Sequence, residues 1–152
     1  MSFLRHPVLT WGCAIGLGAF FLYACVHKIA EPPDFAKSVN DYKVLQSAFI
    51  NAVAIYMPWL ELFCGLALVT SLGRRGAALI TGVLLVLFIV LLSYNLYRGH
   101  PTVCGCTMTY EEARNFTDAD KFWEMKKAIA RDVGLLLLAL QVWFSGCCVK
   151  QD

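Results

Sequence analysis

Four long apolar stretches, at about residues 8–29, 49–72, 77–96 and 133–149, constrain this chain more than any other feature of it. Each is near the roughly 20 residues that a bilayer-spanning helix needs. Inside hydrocarbon every backbone amide must be satisfied within the protein, so only helices and closed barrels cross. These runs are continuously apolar and lack the alternation that a barrel strand shows. The expected fold class is therefore all-α, a four-transmembrane-helix bundle built as a single integral membrane domain over residues 1–152. Composition agrees, with 59% of residues hydrophobic and 16% charged, far from the balance of a water-soluble domain. Membrane lipid is the first expected partner. A net charge of +2 provides no basic surface for nucleic acid, which is not an expected partner.

The first stretch follows Arg5 as a secretory leader would. It outruns the usual leader core of roughly 7 to 15 residues and ends in Val26-His27-Lys28-Ile29 without a small-x-small cleavage site, so it is expected to remain as a span. Within it, Gly12, Gly16 and Ala19 recur near one-turn spacing and are expected to meet a neighbouring helix at close range. The second stretch is interrupted by Pro58 and carries Glu61 near its middle. An ionisable group at that depth is costly and normally faces the bundle interior with a partner. Lys28 is the preferred partner, with Arg98 as the other cation on that side. Two roles stay open for Glu61, pinning two helices together and handling protons.

With four spans, Cys25, His27, Lys28, Arg98, His100, Cys104 and Cys106 lie toward one membrane face. Cys13, Cys147 and Cys148 lie toward the other, and Cys64 falls between. Counting Lys and Arg near the helix ends puts the loop after the third span in the cytoplasm. The Arg74-Arg75 turn and the redox compartment that reactive disulfides favour argue the reverse. The expected placement is the inner (plasma) membrane, with cytoplasmic termini and the cysteine loop periplasmic or extracellular.

That loop holds Cys104-Gly105-Cys106. A bridge between two such cysteines needs Cα atoms within roughly 4.4 to 6.8 Å, which an i,i+2 pair reaches only in a tight turn, and Gly105 frees the backbone for one. Such a bridge is strained, and strained exposed disulfides are the labile ones suited to exchange. Two reduced cysteines without a role are the plainer alternative. Downstream, Thr109 with Glu112 reads as a capping box and Thr117 as a second helix start. Residues 118–131 read as an amphipathic interfacial helix before the last span. A competing chemistry uses the same loop, because His100, Cys104, Cys106 and Met108 are soft ligands of the kind that select Cu(I). A third reading is a structural subunit of a larger membrane complex.

The run Phe21-Leu22-Tyr23-Ala24-Cys25-Val26-His27-Lys28-Ile29, then Pro33-Asp34-Phe35-Ala36 and Tyr42, then Pro58-Trp59-Leu60-Glu61-Leu62 with Gly65 and Leu68, then Arg98-Gly99 and Cys104-Gly105-Cys106, resembles the MauE branch of the DoxX-like membrane proteins. The similarity covers essentially the whole chain. Relatives follow the Cys-Gly-Cys with an aromatic residue and a glycine, where this chain has Thr107-Met108. The resemblance implies a bundle distantly similar to vitamin K epoxide reductase, working beside thioredoxin-like proteins in making disulfides during methylamine dehydrogenase maturation. The implied activity is a membrane thiol-disulfide oxidoreductase that exchanges electrons with a thioredoxin-like or other disulfide-bearing protein through Cys104 and Cys106. Lys28, His27, His100 and Arg98 would favour the attacking thiolate, and Cys25 would resolve the mixed disulfide. Electrons would then pass inward to Cys64 or to a quinone between the helices, walled by Trp59 and Phe63.

Overall fold

The computed structural model describes residues 7–43, 47–100, 102, 112 and 114–145. Its helices are α1 (Pro7–Ala30), α2 (Pro32–Asp41), α3 (Ser47–Thr70), α4 (Arg74–Tyr97) and α5 (Asp118–Ser145). No strand occurs among the described residues. Helices α1, α3, α4 and α5 are long and apolar enough to cross a membrane. α1 packs chiefly along α3 and α4 along α5, while α1 on α5 and α3 on α4 close the ring. The result is the expected four-helix bundle, with the first three spans within a few residues of where hydropathy puts them.

One half of the interior is chiefly apolar, built from Ala14, Leu17, Leu68, Ala78, Leu85, Ala139 and Val142. Without a hydrophobic drive between helices in lipid, such an interface rests on close packing. The glycines that permit it are Gly18 and Gly65, not those the spacing suggested. A Cβ on Gly18 would sit 2.8 Å from the Gly65 carbonyl oxygen, and one on Gly65 would sit 3.1 Å from the Gly18 carbonyl oxygen. Gly12 and Gly16 have open space at that position and Ala19 is exposed, so the expected stripe faces out of the bundle.

Three further differences from the sequence reading have local causes. The short helix α2 opens with Pro32-Pro33, tolerated in a first turn where the missing N–H groups have no intrahelical acceptor. It buries Phe35 and Val39 against Ile50 and Ala54 of α3. Pro58 does not break α3, which runs through it with that ring buried, at the loss of a single backbone donor. The segment 118–131 is no separate interfacial helix but the first half of α5. Its Met125 and Ala128 pack on Leu92. At 28 residues, about 42 Å by helical rise, α5 is longer than the hydrocarbon core and carries its charged first turns to the interface. The expected start at Thr117 holds: its hydroxyl accepts from the Asp120 N–H at 3.3 Å, and the Asp120 carboxylate accepts from the Thr117 N–H at 3.3 Å.

Candidate functional site

The other half of the interior is charged. Lys28 sits one helical turn after Cys25 on α1, and Glu61 one turn before Cys64 on α3, so each thiol shares a helix face with one charge. Lys28 Nζ donates to both Glu61 carboxylate oxygens, at 2.7 and 2.8 Å. Their side chains are 1% and 2% exposed. The ammonium also lies 5.0 Å from the ring centre of Phe35 on α2 and 5.2 Å from that of Phe88 on α4, distances at which aromatic faces stabilise a cation. Lys28, the preferred partner on sequence grounds, is thus the partner of Glu61. Arg98 is exposed at the end of α4, 5.4 Å over the Tyr94 ring.

α5 adds a second buried carboxylate. Asp132 is 3% exposed, accepts from Arg131 at 3.0 and 3.1 Å, and lies within electrostatic reach of Lys28. The Arg131 guanidinium lies 5.0 Å from the Phe20 ring centre. Asn95 on α4 is buried, its amide donating to the Leu91 carbonyl at 3.3 Å. Thr81, also buried on α4, faces the Cys64 thiol without a well-formed hydrogen bond. Desolvating two charges costs several kcal/mol per ion, recovered only when geometry and surrounding hydrogen bonds are good. The two-pronged Lys28–Glu61 contact between aromatic faces meets that requirement.

Cys25 is fully buried, its thiol donating to the Leu22 carbonyl at 3.1 Å, and Cys64 is buried one turn past Glu61. Both are free thiols, as is Cys13, which donates to Gln141 Oε1 at 3.7 Å. Trp59 and Phe63 do not wall a space between the helices. They are 48% and 63% exposed, with ring centres 6.4 Å apart, on the outside of the bundle. His100 is exposed after α4. Cys104, Cys106, Met108, Cys147, Cys148 and the capping box at Thr109 lie outside the described residues. So do most of the proposed Cu(I) ligands, and no group of three or more His, Cys, Asp or Glu suited to a metal occurs among the described residues. Thr102, two positions before Cys104, is buried, and its N–H donates to Met125 Sδ at 3.3 Å, which ties the chain there to α5.

Sequence reasoning missed Asp132, Asn95 and Phe88, and gave Phe35 no role beyond the resemblance. For Asp132 a signal existed. A helix read without a break from the Thr117 cap puts this acid past its midpoint, beside the apolar run that follows.

The family model described as "Methylamine utilisation protein MauE" matches residues 6–145. A methylamine utilization protein MauE of Paracoccus denitrificans is 30% identical over 106 residues, covering 69% of this chain and 57% of the relative. That of Methylophilus methylotrophus is 28% identical over 106 residues, covering 69% and 56%. That of Methylorubrum extorquens is 28% identical over 140 residues, covering 91% and 70%. The matched stretch thus spans a little over half the length of the first two relatives. No solved structure matches the chain.

Proposed function

This chain belongs to the MauE family of membrane proteins, and from that premise we propose that it is a thiol-disulfide oxidoreductase serving a thioredoxin-like or disulfide-bearing partner at the membrane surface. The relatives are named for methylamine utilization, and the same process is proposed for this chain. One observation carries the reading. Two buried thiols each stand one turn from a member of an intramembrane ion pair, and α1 delivers one of them toward the face on which α4 ends and the Cys104-Gly105-Cys106 loop begins.

In the proposed cycle a Cys104 thiolate attacks one sulfur of the partner's disulfide. The partner's S–S bond breaks, a mixed disulfide forms, and the departing thiolate takes a proton. Cys106 then attacks Cys104, releasing the partner as a dithiol and leaving Cys104–Cys106 oxidised. Run in reverse, the same steps oxidise a partner. Cys25 would resolve or relay within the protein, with Cys64 deeper along the same path. In that oxidising direction a quinone, when bound, would supply the two-electron sink. Trp59 and Phe63 would meet it from the lipid side, since both rings face out of the bundle. The proposed orientation puts the cysteine loop on the periplasmic or extracellular side of the inner membrane.

The test is thiol trapping in intact cells with a membrane-impermeant maleimide, with and without prior reduction, on wild type, Cys104→Ser and Cys106→Ser. A disulfide outside the cell, and one single variant that captures a covalent partner, is the expected result. Reduced thiols facing the cytoplasm with no captured partner would overturn both mechanism and orientation.

A further inference from the structure

We propose that Glu61 is the proton acceptor for the buried Cys25 thiol, with Lys28 as the shuttle between them. The inference rests on the reading that Cys25 takes part in exchange, and it adds how a thiol sealed in an apolar bundle becomes a nucleophile. The thiolate is the reactive form, and a bare thiolate in such surroundings is costly to form. The geometry offers a route that creates no new charge. Lys28 Nζ stands 2.7 Å from one Glu61 oxygen and 2.8 Å from the other. Lys28 follows Cys25 by one helical turn on α1, and the thiol, which rests on the Leu22 carbonyl, turns from it to reach the ammonium. The ammonium passes one proton to the carboxylate and takes the proton of the thiol. One N–H bond breaks and another forms, the S–H bond breaks, and a carboxylic O–H forms. At rest the ammonium is paired with a carboxylate, and afterwards with a thiolate. The net charge of the buried site is the same throughout, and the Phe35 and Phe88 faces hold the cation in both states.

The surroundings give the transfer a direction. Among the described residues, Cys64 on α3 and Asp132 on α5 are titratable groups within electrostatic reach of the pair, and Arg131 is bonded to Asp132. Asp132 is already engaged by Arg131, which leaves Glu61 as the carboxylate in direct contact with Lys28. A pair that only pinned α1 to α3 would not tie the reactivity of Cys25 to Glu61.

The experiment is alkylation of Cys25 by N-ethylmaleimide in the purified full chain in detergent, followed by peptide mass spectrometry between about pH 6 and pH 9. Internal transfer makes the wild-type rate nearly flat with pH, because no proton leaves the site. Glu61→Gln removes the acceptor, so the proton must go to solvent and the rate climbs, about tenfold per pH unit. Glu61→Asp restores the flat profile. Where the single amide variant does not fold, Lys28→Gln/Glu61→Gln removes both charges together, and its Cys25 reacts at least about tenfold more slowly than wild type near neutral pH. A steep wild-type profile, one unchanged by Glu61→Gln, or a double variant as reactive as wild type each overturns the proposal. Alkylation needs no partner. Failure of Cys104→Ser and Cys106→Ser to trap one, with these profiles intact, would sink the exchange reading alone.

Discussion

The two halves of the bundle interior hold the same helices together by different means. Toward the α3–α4 turn, α1 and α3 meet backbone to backbone at Gly18 and Gly65, among Ala14, Leu17 and Leu68. Toward the cysteine loop they meet through Lys28 and Glu61, with Asp132 and Asn95 buried around them. In the first half close packing joins these helices, in a setting where apolar surface alone gives no drive. The second half adds desolvated charge to that packing. Charge retained at that cost, beside two thiols, is what the chemistry proposed above would need.

The comparison breaks most sharply at the ion pair. Lys28→Ala or Glu61→Ala leaves one charge buried alone and is expected to cost about 3 to 5 kcal/mol, while Lys28→Met/Glu61→Leu is expected to be no less stable than wild type. Denaturant unfolding in detergent micelles reads both. Singles no worse than the double would mean that water reaches the site and the charges are not sealed. The double variant is also expected to lose thiol exchange despite its stability, which separates holding helices from doing chemistry.

The apolar half is broken by volume rather than charge. Gly18→Ala puts a Cβ 2.7 Å from Val69 Cγ2 and 2.8 Å from the Gly65 carbonyl oxygen, an overlap that typically costs about 1 to 3 kcal/mol. Gly16→Ala meets nothing within 4 Å and is expected to gain up to about 1 kcal/mol of helix propensity. Thermal unfolding of the two variants side by side checks the pair of signs. Equal effects would mean that the helices approach on a different face.

The same contrast explains what could be read from the chain alone. The four spans were legible because bilayer thickness fixes their length, and the Lys28 partnership of Glu61 because an intramembrane acid needs a cation at matching depth. Which glycines face inward was not legible. Gly12, Gly16 and Gly18 lie within two turns of one another on the same helix, and only the packing of α3 selects Gly18. Asp132 was hidden because the charges from Asp118 onward read as an interface, whereas a helix longer than the bilayer carries its first turns there and sinks its middle. Trp59 and Phe63 flank Glu61 in sequence but sit on the opposite side of the helix, facing out. Helix α2 was obscured by its two prolines, which signal a break yet serve here as a start.

A smaller effect tests the junction between loop and bundle. Thr117→Ala removes the hydroxyl that accepts the Asp120 N–H and is expected to cost about 1 kcal/mol. Faster amide hydrogen exchange should be confined to the first turns of α5, with residues around Asp132 unchanged. Exchange that accelerates along the whole helix would mean that the charged half depends on the cap.

The smallest effect sets an ion pair outside the membrane spans against the buried one. On α2, Lys37 Nζ donates to the Asp34 carboxylate at 2.8 Å, and that hydrogen bond holds the Asp34 carboxyl below the ordinary 3.8. Because the folded value is the lower one, the contribution to stability is present above the ordinary carboxylate range and is lost as pH falls through it. Lys37→Ala is expected to move the Asp34 titration, followed by carboxyl NMR, back up toward its ordinary value. Added salt should do the same in wild type, since surface charges are screened within about 10 Å at 0.1 M. The Lys28–Glu61 pair, sealed from solvent ions, should ignore the salt. If salt weakened it as well, measured by the stability gap between wild type and Lys28→Met/Glu61→Leu, ions would be reaching the interior. The proton of Cys25 could then leave for solvent, and the flat alkylation profile expected of an internal transfer would not survive.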